Sequence, residues 1–169
     1  MIKAIFAVDL NGGMGNNGSL PWPTDREDLS WFKKHTSGHT VVMGSKTWDD
    51  PAMPSPLPNR YNVVVSDKPQ HLFNGADKVI STNGLDERLL MLQRDHPGQD
   101  IWIIGGARTL LLTKHLIEQV LLTEFNGDYD CDVKIDVWSY LDGFSLSSEQ
   151  HGENKTFRTY NRCKTTTPS

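Results

Sequence analysis

Apolar, β-branched runs recur along the chain at Ile2 to Val8, Thr40 to Met43, Asn62 to Ser66, Lys78 to Ile80, Ile101 to Ile104 and Gln119 to Glu124. Between several of them lie segments with helical spacing: Asp25 to Thr36, a short one at Ser45 to Asp50, Leu85 to Asp95, and Ala107 to His115. Strand and helix alternate, which predicts an α/β fold: a mostly parallel central sheet with helices on both faces. The C-terminal part changes character. It shows no helix pattern, and "GFSLSSE" followed by "TFRTYNRC" reads as an antiparallel edge added to that sheet. No repeat or low-complexity segment interrupts the pattern. The Pro-rich "DPAMPSPLP", Asp50 to Pro58, is long enough for a functional loop and too short for a domain linker. The expectation is one domain over residues 1–169, with the last few residues as a flexible tail.

The first helix carries an anomaly. Thr24-Asp25-Arg26-Glu27 reads as a capping box, with Thr24 at the N-cap and a helix running to about Thr36. At 100° per residue, Trp31, Phe32 and His35 lie within about 60° of Asp28. Glu27 shares the opposite flank with Ser30 and Lys34 and reads as an ordinary solvated acid. Asp28 therefore sits on the aromatic side, where an ionised carboxylate costs several kcal/mol unless something pairs with it. Two readings are open: a wet helix edge with a backbone partner, or a ligand-binding carboxylate at the floor of a pocket.

Composition narrows the function classes. With 169 residues, 37% hydrophobic and 22% charged, the chain can bury one sizeable core. A formal net charge of −4 argues against a general nucleic-acid binder. No apolar run approaches the roughly 20 residues of a membrane span. The N-terminal "MIKAIFAVD" is too short an apolar run for a signal peptide. Cys131 and Cys163 fit no metal or redox spacing and read as free thiols, so cytoplasm is the expected compartment.

Three loops follow strands, where an open α/β sheet binds its ligands. "DLNGGMGNNGSLPW" is rich in glycine and asparagine and reads as a mobile loop, whether a lid or a plain connector. In "IWIIGGARTLLL" a buried strand runs into Gly105-Gly106 and a helix starts at once, with Arg108 in its first turn. Amides at such an N-terminus bind phosphate, although many strand-to-helix turns use Gly-Gly for geometry alone. The G-x-G-x-x-G fingerprint is absent. In "VVMGSKTWDD" Gly44 ends a strand and Ser45, Lys46 and Thr47 open a short helix, a cap or a second anion site. Two such turns and one apolar-face carboxylate suggest a phosphorylated cofactor beside a small ligand with a cationic or amidine-like edge.

These residues resemble the dihydrofolate reductases. The anchors are Ala7, "LPW" at Leu20 to Trp22, "DLSWFK" at Asp28 to Lys33, "VVMGSKTW" at Val41 to Trp48, "PLPNR" at Pro56 to Arg60, "IIGGAR" at Ile103 to Arg108 and "LLTE" at Leu121 to Glu124. The resemblance implies reduction of 7,8-dihydrofolate to tetrahydrofolate with NADPH, supporting one-carbon metabolism, by a monomer with no metal site. By that resemblance Asp28 grips the pterin's amino group and ring N–H, and Thr123 completes the network. Leu20 and Trp22 stand beside the water that protonates N5. Ile5, Phe6, Ala7, Leu29 and Ile104 line the substrate cleft, Phe32 and Leu57 sandwich the pterin and aminobenzoyl rings, and Lys33 lies at the mouth. Arg60 holds the glutamate α-carboxylate as a bidentate fork.

On the cofactor side, the resemblance assigns the nicotinamide and diphosphate to three places. They are Ala7, the loop Gly13, Met14, Gly15, Asn16, Asn17, Gly18, Ser19 and Leu20, and the turn Ile104, Gly105, Gly106, Ala107, Arg108, Thr109 and Leu110. Gly44, Ser45, Lys46, Thr47, Ser66 and Asp67 fall to the adenosine half. The family's cis peptide is expected at Gly105-Gly106. The sequence departs from the family at Ser45, where many members carry Arg, at Leu110, which replaces a common aromatic, and at "GDYDCDVKID", which leaves Asp132 as a possible loop partner. One residue is inserted before Asp28. Two other readings compete: a reductase of the same fold acting on a riboflavin-precursor pyrimidine, and a non-catalytic nucleotide- or folate-binding descendant.

Overall fold

The computed structural model describes residues 1–15, 21–22 and 25–164. The strands are β1 (Ile2–Val8), β2 (Gly13–Gly15), β3 (Thr40–Gly44), β4 (Tyr61–Val65), β5 (Lys78–Ile80), β6 (Ile101–Gly105), β7 (Gln119–Phe125), β8 (Val133–Lys134), β9 (Phe144–Gly152) and β10 (Lys155–Arg162). The helices are α1 (Arg26–Thr36), α2 (Ser45–Trp48), α3 (Leu85–Asp95), α4 (Ala107–Thr113) and α5 (Val137–Tyr140). Eight strands form one sheet in the order β5-β4-β3-β6-β1-β7-β10-β9. The first six of that order run parallel, and β10 and β9 close the edge antiparallel.

The two faces can be read from strand alternation. Ile2, Ala4, Phe6 and Val8 of β1 enter one core cluster with Leu89 and Leu92 of α3 and Leu110 of α4. Ile5 points the other way, into a second cluster with Met43, Trp102, Ile104 and Leu121, against which Trp31 and Phe32 of α1 pack. α1 thus covers the face that Ile5 shares, and the alternation puts Ala7 and Thr123 on that same face.

Three local features differ from the sequence expectations. Gly13–Gly15 is not purely a loop: it pairs antiparallel with β8, a strand too short to show a periodic signal. α5 was not expected; it is a single turn capped by Asp136, whose carboxylate accepts from the Ser139 amide at 3.1 Å. The N-cap of α1 is Asp25 rather than Thr24: its backbone is extended, and its Oδ1 accepts from the Asp28 amide at 2.9 Å. Asp outranks Thr as a cap, and the first-turn acids meet the positive end of the helix dipole. Among the described residues, no helix is long and apolar enough to cross a membrane.

Candidate active site

β1, α1 and β7 bring the predicted substrate residues together. β1 pairs Ala7 with Thr123 of β7, and β10 pairs Phe157 with the same Thr123, so three side chains form one row across the sheet. α1 lies over that row, fixed by Trp31 stacked on Phe157 with ring centroids 4.7 Å apart. Asp28 on this helix is partly buried and hydrogen-bonds to the buried Thr123 hydroxyl. Burial pushes its carboxyl up to about 6; the Thr123 bond opposes the rise, the nearby Asp25 anion adds to it, and the Lys155 cation opposes it. The acid is thus neither a wet helix edge nor a paired salt bridge. Among the described residues it is a carboxyl held beside one hydroxyl, a group that can accept from further donors.

Around it, Phe32 is half-buried and Leu57 is 5% exposed. Leu57 owes its position to Asn62, which accepts from its amide and donates to its carbonyl, both at 2.9 Å. Arg60 lies over the Phe32 ring at 5.7 Å. Its Nε donates to the Pro58 carbonyl at 2.9 Å and its Nη1 to the Thr36 hydroxyl at 3.1 Å, which fixes the guanidinium beside Phe32. Lys33 is exposed and Leu29 is 51% exposed on α1. Ile5 and Ile104 belong to the cluster on the face that α1 covers.

The side chain of Phe6 points to the opposite face, where it meets Tyr140 edge-on at 5.5 Å. Leu110 is fully buried in the same opposite-face cluster. Trp22 is buried and stacked on Phe125 with centroids 4.5 Å apart. Asn16, Asn17, Gly18, Ser19 and Leu20, expected at the cofactor and the proton path, lie outside the described residues.

The glycine turns meet at the C-terminal ends of neighbouring strands. Gly44 ends β3 and Gly105 ends β6, and Gly105-Gly106 is a cis peptide, as expected; Ser55-Pro56 is a second. The Gly44 turn leaves no room for a side chain, and Gly105 holds a φ of 141° that favours glycine. A Cβ on Gly44 would approach Thr109 Oγ1 to 2.8 Å, and Cβ atoms on Gly105 and Gly106 would stand 3.4 and 3.6 Å from Thr47 Oγ1. Among the described residues no side chain caps the start of α4 at Gly106; Lys46, two residues after Gly44, and Arg108, two after Gly106, are exposed. This donor set fits a phosphorylated dinucleotide. Ser66 and Asp67 follow β4. The Asp67 carboxylate is taken up by the Ser81 hydroxyl at 2.6 Å and by the amide and hydroxyl of Thr82, which hold its pKa down.

Two acids escaped the sequence reading. Glu27 is no free surface carboxylate: it accepts from Lys155 Nζ at 2.6 Å and from the Glu153 amide at 3.0 Å. Asp9 is 1% exposed and accepts from the amides of Asn11, Gly13 and Tyr129 and from the Cys131 thiol. Burial alone would raise its pKa, and these bonds outweigh that and lower it. The strand-1 end is thereby tied to the segment carrying Asp132, whose amide donates to the Gly15 carbonyl at 3.0 Å. A buried acid directly after an apolar strand was the available signal for Asp9. For Lys155 there was none.

Comparison with known proteins agrees with this geometry. The family model for dihydrofolate reductase matches residues 1–167. The dihydrofolate reductase of Bacillus subtilis is 32% identical over 150 residues, covering 89% of this chain and 84% of that protein. Segregation and condensation protein A of Mycoplasmoides gallisepticum is 34% identical over 146 residues, which is 86% of this chain but 23% of that longer protein. The solved dihydrofolate reductase from Enterococcus faecalis, complexed with NADP(H) and RAB-propyl, superposes with a TM-score of 0.81 at 25% identity, covering 97% of both chains. A parallel sheet with an antiparallel edge, a hydroxyl-paired acid on its first helix and two glycine turns thus coincide with a match over almost the whole length: the chain belongs to the dihydrofolate reductase family.

Proposed function

We propose that the cleft between α1 and the ends of β1 and β7 is where this chain performs the family's reaction, with Asp28 as its acid. The reaction is the NADPH-dependent reduction of 7,8-dihydrofolate to tetrahydrofolate. The observation that carries the reading is the partly buried Asp28 carboxyl, pushed up to about 6 and partnered by Thr123. Such a group is costly for the fold and useful to a ligand that presents an N–H pair, because two charge-assisted hydrogen bonds then replace the lost water.

The roles of the side chains follow from their chemistry. Asp28 orients the pterin through its amino group and ring N–H and favours the N5-protonated form electrostatically. Thr123 fixes the carboxyl and offers its oxygen to the same edge. Phe32 and Leu57 clamp the rings between apolar surfaces and exclude water, and Arg60 takes the glutamate α-carboxylate. Lys33 adds positive charge at the mouth. On the cofactor side, Ala7, Gly13 to Leu20 and the Gly105 to Thr109 turn would hold the nicotinamide and diphosphate, while Gly44 to Thr47 and Ser66 would hold the adenosine half. When bound, NADPH supplies the hydride for C6 of the pterin. Solvent near Leu20 and Trp22 supplies the N5 proton. The net charge of −4 supports small-molecule metabolism rather than nucleic-acid binding, and the free thiols support a reducing, cytoplasmic compartment.

The test is to follow NADPH oxidation with and without dihydrofolate, then with a diaminopyrimidine antifolate. Turnover should require dihydrofolate and be abolished by the antifolate, whose protonated amidine edge pairs with Asp28. Folded protein that shows no dihydrofolate-dependent turnover would overturn the reading. The pyrimidine-reductase alternative predicts activity on an aminopyrimidine substrate that ignores Asp28→Asn.

A further inference from the structure

Lys155 opens β10 with a side chain only 2% exposed. Its Nζ bonds to Glu27 Oε1 at 2.6 Å, Asp25 Oδ2 at 3.1 Å and the Glu153 carbonyl, and it lies 5.9 Å from the centre of the Phe125 ring. Both acids belong to the N-terminal turn of α1, and Asp25 uses its other oxygen to hold the Asp28 amide. Glu27 returns to the β10 side by accepting from the Glu153 amide. The circuit closes through the sheet. β10 pairs Phe157 with Thr123, and Thr123 bonds to the Asp28 carboxyl.

A buried lysine between two carboxylates is often a neutral contributor to stability, since desolvation offsets the attraction. Its position therefore calls for another account. Among the described residues, the charged groups that act on Asp28 are Asp25 from its own helix and Lys155 from β10, with opposite signs, and the facing strand β7 contributes only the neutral Thr123 hydroxyl.

We propose that Lys155 is a positioning residue for the active-site carboxyl: it locks the first turn of α1 to β10 so that Asp28 meets Thr123, and its cation offsets the Asp25 anion in the field at Asp28. The functional consequence rests on Asp28 being the pterin acid. The electrostatic claim does not, and the two can fail separately.

The experiment is a pH titration of the free enzyme by NMR, with 13C at the aspartate carboxyl carbons and the Asp28 signal assigned by its loss in Asp28→Asn. Lys155→Met keeps the stem on Phe125 and removes the charge. Asp25→Asn keeps a good N-cap and removes the anion. The Asp28 midpoint, near 6 in the wild type, should rise by about half a unit in Lys155→Met and fall by a similar amount in Asp25→Asn. Lys155→Arg should restore it. If Lys155→Met fails to fold, Lys155→Gln with Glu27→Gln retains an amide bridge and should show the same rise. Midpoints that stay put in both variants, or move in one direction in both, would make Lys155 a structural staple and overturn the proposal. The pH profile of single-turnover hydride transfer should follow the NMR midpoints. Midpoints that move oppositely while the rate profile does not would uphold the electrostatic role and overturn the assignment of Asp28 to the pterin.

Discussion

Replacing Asp28 with asparagine separates what the carboxyl costs the fold from what it does for the reaction. The change is nearly isosteric and keeps an acceptor for Thr123. The folded carboxyl titrates at about 6, against about 3.9 for an aspartate in an unfolded chain. A gap of about two pH units, at about 1.4 kcal/mol each, amounts to about 3 kcal/mol. The sign follows from proton binding: the folded state holds the proton more tightly. Stability is therefore fully present below about pH 4 and is lost as pH rises through 6. Asp28→Asn escapes that loss. In urea unfolding it should be more stable than wild type by about 3 kcal/mol at pH 8 and no more stable at pH 4. Its kcat/KM for dihydrofolate should fall roughly 30- to 1,000-fold, about 2 to 4 kcal/mol, because an amide cannot accept both pterin hydrogen bonds or supply the charge. A variant no more stable than wild type at pH 8, or one whose advantage is the same at both pH values, would refute the burial argument.

Arg60→Leu should weaken dihydrofolate binding about 30-fold, near 2 kcal/mol, and barely touch NADPH, as measured by titration of each ligand. A dihydropterin lacking the glutamate tail should be indifferent to it; equal losses for both would make Arg60 structural. Lys46→Ala should raise the KM for NADPH about tenfold and leave NADH nearly unchanged, because Ser45 supplies no cation for the 2′-phosphate. The effect should shrink as salt is raised, and a NADPH/NADH efficiency ratio unmoved by the change would show that other groups read the phosphate. A disulfide reagent should modify Cys163 in the native protein and reach Cys131 only after unfolding, since Cys131 is buried and its thiol is pushed up to about 11 by burial and by the Asp9 carboxylate. Two thiols titrating at equal rates would contradict that burial.

Much of the site was legible because helical spacing is a physical ruler. It placed Trp31, Phe32 and His35 beside Asp28 and so marked that acid as anomalous, while leaving its role open, and these residues do pack toward the sheet. Alternation along β1 was equally informative, and it argues against Phe6 as a cleft side chain: Ile5 and Phe6 cannot face the same way. The capping residue was misread because Thr24 with Glu27 matches a two-residue motif, whereas Asp25 reaches the Asp28 amide by itself. Glu27 looked solvated because its partner, Lys155, lies more than a hundred residues away at the start of an edge-forming strand. No local pattern predicts a pairing between a helix turn and a strand so distant in sequence. β2 and β8 were missed for a different reason, since two- and three-residue strands stabilised by tertiary context leave no periodicity to find.

The order of strands in the sheet also has a temporal side. β7 lies inside the finished sheet, yet its outer neighbour β10 begins some 30 residues later in the chain. As the polypeptide is synthesised, at about 5 to 20 residues per second, β7 waits about 2 to 6 s with one backbone edge unpaired. Such an edge pairs with any strand that meets it. When β10 does arrive, it satisfies the amides and carbonyls of β7 and delivers Phe157 and Lys155 to the helix that carries Asp28. Protection of the β7 edge and anchoring of α1 by Phe157 and Lys155 are thus a single late event.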